Sequence, residues 1–403
     1  MIFDKEKKDN ITYLKDTKEK KINKKKLAVL ITVLSIIAVI TIVFVIYAFN
    51  EQFRGLLDTY VLRKNIEEDN LPSIKIENVN TENIFAYSNY IGILKENTVT
   101  TYNSSAKKVS EMSVEITTPL IDASGDYVGI AEKGGKKFYL IQKNNILWQK
   151  EVEGNISRIN VNSNGYVSLV ISGTSHKSVI VVYDNLGSEI FKTYLASTIA
   201  VDTDISEDNK YMGFAEVNIS GTLIQSNIKV ISIDKAKENP SDAIIYKYSA
   251  DSGSLIMNVK YQNKGKLVCM YDDSIHVIEN EQDKKILDIK DQDTKITFAD
   301  IELKNYAVTA SEESDGLFST KTAITLLNTS SEKSSVYNLT GSVKELYCYN
   351  DKVGINVGAD VHFVDMNGWL IKKYTSTQEI RGVVISNNLA GIIHKNKIEI
   401  INL

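Results

Sequence analysis

The chain has few of the residues that staple or punctuate a fold: 403 residues contain three prolines, two cysteines, two tryptophans and four histidines. Cys269 and Cys348 lie far apart inside apolar, strand-like runs, so the fold does not depend on a disulfide framework, and both read as small buried thiols. His176, His276, His362 and His394 fall in different parts of the chain without metal-ligand spacing; packing is their reading, and no metal or other cofactor is expected. A nucleophile elbow, a phosphate loop, a Cys/His pair and a carboxylate pair of defensible spacing are all missing, so no catalytic residue is assigned. Net charge is modest at −4, and the N-terminal tail is a net-basic segment. The remainder is acidic, which argues against nucleic acid as a partner.

The longest apolar run is residues 27–49, LAVLITVLSIIAVITIVFVIYAF, which carries no charge and only three hydroxyls, Thr32, Ser35 and Thr41. In lipid such a run must pair its own backbone groups as a helix, and at about 1.5 Å per residue it covers roughly 30 Å of hydrocarbon. Lys20, Lys21, Lys24, Lys25 and Lys26 crowd one flank, whereas Arg54 is the one basic residue close to the other. That asymmetry predicts an uncleaved signal anchor in the cell membrane: residues 1–26 are a cytoplasmic basic tail, 27–49 cross once, and the C-terminal part lies outside. Cleavage is the competing reading, but Tyr47-Ala48-Phe49 offers no small-x-small site, and no cysteine follows to accept a lipid.

Residues 50–70 read as a short amphipathic stem, because Phe53, Leu56, Leu57, Tyr60 and Val61 follow the spacing of one helical face. That face docks under the outer domain, pairs with a second copy or lies among headgroups, in that order of preference. Pro72 ends any helix.

Residues 71–403 have a strand texture: short Val, Ile, Tyr and Thr runs broken by Asn, Gly, Asp, Ser and Lys. The texture repeats. Segments such as PLIDASGDYVGIAEKGGKKFYLIQKNNILWQKEV and ISRINVNSNGYVSLVISGTSHKSVIVVYDNLGSEIFKTYL align turn on turn. The first tight turn of each unit falls at Asn89, Gly125, Asn164, Asp208, Lys264, Lys304, Asn350 and Asn387, at intervals of 36 to 56 residues. Blades of about 40 to 50 residues fit this period, so the fold class is all-β, a β-propeller of eight four-stranded blades. Seven blades is the alternative because the unit after Asp208 is long, and a two-sheet sandwich is a further one. The last unit stops after three strands, and LPSIKIE at 71–77 is spare; it is predicted to complete the final blade and close the ring.

Asp184, Asp234 and Asp365 recur where third strands end and read as turn caps rather than calcium ligands. The loops between second and third strands are enlarged at 172–177, 216–226 and 311–320, and in a propeller they share a face. On that face His176, Glu312, Asp315, Leu317 and Phe318 are the candidate partner residues.

The order of parts, from Lys24-Lys25-Lys26 and the apolar run to repeats such as SGDYVGIAEKGGKKFYLI, resembles an uncharacterised family of Gram-positive membrane proteins, domain of unknown function 5711. The resemblance implies no activity and no functional residues. Trp148 in ILWQK and Trp369 in GWLIK also echo quinoprotein and WD-type repeats, whose propellers mostly serve as binding platforms. The leading expectation is a non-enzymatic scaffold or sensor for a protein, peptide or cell-wall ligand. An envelope-polysaccharide enzyme with a central-channel site is the first rival and would need convergent carboxylates there. A component of a larger membrane assembly is the second.

Overall fold

The computed structural model describes residues 24–67, 71–290, 295–314 and 319–403. The chain divides after Arg63 into two compact units.

In the first unit, helix α1 (Lys24–Phe49) is exposed along its apolar length and is long enough to cross a membrane. Its hydroxyls are satisfied internally: Thr32 Oγ1 donates to the Ala28 carbonyl at 3.0 Å and Thr41 Oγ1 to Ile37 at 2.8 Å. Asn50 caps the next helix, α2 (Glu51–Leu56), by accepting the Phe53 N–H at 2.9 Å. A single wide turn over Leu57–Val61 follows. Tyr47 donates to Asp58 at 2.7 Å and Arg54 Nε to the Tyr47 carbonyl at 3.0 Å, which fixes the corner between the helices. Leu56, Tyr60 and Val61 of the stem stripe stay exposed within this unit.

The second unit is a propeller of eight sheets, numbered here as blades in chain order. All eight turn markers fall between the first and second strands of successive blades, so the period read from the sequence is the blade period, and seven blades is excluded. The long unit after Asp208 is explained by an insertion: a helix over Ile233–Glu238 and a turn at Pro240–Asp242 precede the outer strand of blade four. Asp234 belongs to that helix and pairs with Lys237, so it is not a turn cap. Asp184 and Asp365 are: each accepts two backbone N–H groups of its own turn.

Two N-terminal strands join the last two blades, and one of them closes the ring. Strand β2 (Ser73–Lys75) pairs antiparallel with Lys397–Asn402, Ile74 opposite Ile398, and supplies the missing fourth strand of blade eight, as expected. Strand β1 (Asn65–Glu67) adds a fifth, parallel strand to blade seven, with Ile66 opposite Tyr374. The reading of 50–70 as stem contained no strand; only its first part is helical.

Apolar faces are buried between neighbouring blades. Phe138 and Leu140 of blade two pack with Ile159, Leu169 and Val181 of blade three, and the seam between blades eight and one joins Ile74, Ile398 and Ile400 to Ile84, Ile91 and Ile93. Cys269 and Cys348 are buried free thiols.

Candidate functional site

The innermost strands of the blades interleave charged residues with apolar ones. In blades two to six this places Asp122, Arg158, Asp202, Asp204, Lys260 and Asp300 around the central channel, with Glu302 just beyond. Lys260 Nζ lies 2.8 Å from Glu302 Oε2 and 4.0 Å from Asp204 Oδ1; Arg158 Nε lies 3.5 Å from Asp202 Oδ1. At the face bearing the first-to-second strand turns the channel opens into a cavity of about 480 Å³, lined among others by Asn162, Asp204, Lys260, Gln262, Glu302 and Tyr349.

Burial dominates the electrostatics here. It lifts Asp204 to about 7 against the opposing pull of Lys260, Asp300 to about 7 with help from Glu302, and Asp202 to about 6. Burial alone would depress Lys260, but Asp204, Glu302 and Asp122 hold its ammonium well above the ordinary range. Most of these carboxylates also do mechanical work. Asp122 accepts the Val161 N–H at 2.6 Å, Asp202 that of Val259 at 3.0 Å and Asp204 that of Tyr261 at 2.7 Å, each bond reaching the first strand of the next blade.

On the opposite face, His176 packs tilted against Tyr194, ring centroids 4.8 Å apart, and Lys177 Nζ reaches Ser220 Oγ of the next loop at 3.0 Å. Beside them Ile219, Leu223 and Ile224 project from the second-to-third strand loop of blade four, exposed at 55%, 66% and 42%. A groove of about 590 Å³ runs below, with Tyr194, Glu216, Lys229 and Lys247 in its wall. Glu216 is buried and held by Lys229 Nζ at 2.7 Å and Thr198 Oγ1 at 2.7 Å.

Of the residues named from sequence, His176 stands on this face. Glu312 lies in a long strand of blade six, and its Oε1 accepts the Val343 N–H of the connection to blade seven at 2.9 Å. Asp315, Leu317 and Phe318 lie outside the described residues. Sequence reasoning missed the channel charges and the Ile219, Leu223 and Ile224 cluster. The channel signal was present as polar residues inside apolar first strands, LIDAS, VDTDI, NVKY and FAD.

Among solved structures, a WD40 domain with a TM-score above 0.5 supports the fold. The C-terminal WD40 domain of Sif2 superposes with a TM-score of 0.53 at 12% identity, over 82% of this chain and 98% of that one. BamB from Moraxella catarrhalis gives 0.48 at 9% identity, over 82% and 98%. No curated protein sequence matches the chain. Residues 62–403 match the family described as "Family of unknown function (DUF5711)", and the chain belongs to that family.

Proposed function

We propose that the protein is a membrane-attached binding scaffold: helix α1 anchors it with the lysine-rich tail in the cytoplasm, and the propeller outside binds a protein, peptide or cell-wall segment. The observation that carries this reading is the loop face of blades three and four. Apolar side chains there are presented on a loop, beside an aromatic pair and above a polar groove, and exposed apolar clusters rimmed by polar groups mark interaction sites. The test is in-cell cross-linking of the native chain against a variant carrying Ile219→Ser, Leu223→Ser and Ile224→Ser. Loss of one specific adduct in the variant supports the scaffold on this face. Adducts unchanged by the three substitutions contradict it.

A second reading, an enzyme acting on an envelope polysaccharide, is favoured by one observation. Asp204 and Asp300 titrate around neutrality beside Glu302 and Lys260, the arrangement general acid–base chemistry needs. Against it stands the commitment of Asp122, Asp202 and Asp204 to backbone bonds between blades. Glu302→Gln separates the readings: it abolishes turnover in an enzyme and leaves loop-face binding unchanged in a scaffold.

A further inference from the structure

Between blades four and five a crevice of about 250 Å³ opens on the channel-mouth side of the propeller. Tyr211, Tyr246 and Tyr261 line it, Gly265 leaves one wall open, and Glu279 and Glu281 stand at its rim. None of its lining residues is basic, whereas the channel cavity is lined by Lys260, Lys264 and Lys304 and the groove of blade four by Lys229 and Lys247. Tyr261 is buried, Tyr211 and Tyr246 are half-buried, and the neighbouring Glu281 carboxylate pushes the Tyr246 phenol above its ordinary range. A Cβ at Gly265 would meet no atom beyond its chain neighbours within 4 Å, so the space there is open.

We propose that this crevice binds a small organic cation, an alkylated ammonium group with no anion beside it. Three physical features select that chemistry. Phenol rings present negative faces to a cation, an attraction of about 0.5 to 2 kcal/mol that grows as the cation is desolvated. Two carboxylates at the rim add a field with no lysine in the lining to cancel it. The volume lies below the roughly 300 to 1,000 Å³ of pockets for drug-sized ligands, which restricts the occupant to a head group. An anion or an extended acidic segment would be repelled at the rim, and a sugar would gain nothing from the charge. The site lies on the other face from the loop cluster of blades three and four, so it does not depend on the scaffold reading.

The test is calorimetric titration of the full chain in maltoside micelles with choline, with its uncharged carbon isostere, in which the quaternary nitrogen is replaced by carbon, and with phosphocholine. Choline is expected to bind, with the isostere and phosphocholine about tenfold weaker or more. The double variant Glu279→Gln, Glu281→Gln, at exposed positions that leave folding intact, is expected to weaken choline about tenfold, and Gly265→Leu to block it while the unfolding temperature holds. Equal binding of the isostere makes the crevice a mere apolar slot and overturns the proposal. So does the absence of choline binding, or choline binding that survives both variants.

Discussion

Asp300 ends the innermost strand of blade six, and its behaviour follows from where a single carboxyl is placed. Its folded value of about 7 lies above the ordinary 3.8, so the folded state holds the proton more tightly than the unfolded one. The stability it contributes is present below about pH 4 and is lost as pH rises through 7; Asp204 and Asp202 act in the same direction. Asn mimics the protonated carboxyl. Asp300→Asn is therefore expected to raise the unfolding temperature at pH 8 and to raise it clearly less at pH 5, as thermal unfolding at the two pH values will show; a larger effect at pH 5 would contradict this account. The charged residues stood in plain view inside the first strands, but their meeting was not legible, because Asp122, Asp204, Lys260, Asp300 and Glu302 come from four blades and come together only when the ring closes. The pairing of Glu312 with Val343 escaped for the same reason.

Individual strands divide sharply into those the sequence revealed and those it did not. β2 was legible because its alternation is clean and the last blade visibly lacked a strand, whereas β1 has one apolar side chain, Ile66, and no alternation to betray it. The inserted helix of blade four blurred a boundary because its six residues are too few to show a helical period. A stronger repeat signal went unread: the second strands YIGILK, YVGIAE, YMGFAEVN, KVGIN and LAGII each carry a glycine at the same place. Sterics explains it. A Cβ on Gly129 would lie 2.5 Å from Val161 of the next blade, and one on Gly213 would lie 2.7 Å from Leu267. Gly129→Ala is thus expected to destabilise the propeller by about 1 to 3 kcal/mol through overpacking, read by denaturant unfolding. At the closing strand, Ile74→Ala removes a side chain buried in the seam between blades eight and one and should lower stability by about 2 to 5 kcal/mol, while Leu56→Ala in the exposed stem stays within about 0.5 kcal/mol.

The whole molecule joins a helix long and apolar enough to cross a membrane to a ring that its own N-terminal strand fastens shut. Blade number, turn positions and closure were all carried by local chemistry, the 36 to 56 residue recurrence of turn residues and apolar strands, and so were readable one unit at a time. The loop face was only partly so: its position and the enlarged 172–177 and 216–226 loops were readable, but which apolar side chains of the second loop, Ile219, Leu223 and Ile224, stay exposed shows only in the folded chain. The reading of the protein as an outward-facing scaffold is tested most directly by labelling Leu223→Cys with a membrane-impermeant maleimide on intact cells. The native Cys269 and Cys348 are buried, and burial pushes both thiols well above the ordinary range, so background is low. Labelling of intact cells at position 223, with none in the native chain, is the predicted result; labelling that appears only after the cells are lysed would place the propeller on the inner side and contradict the account.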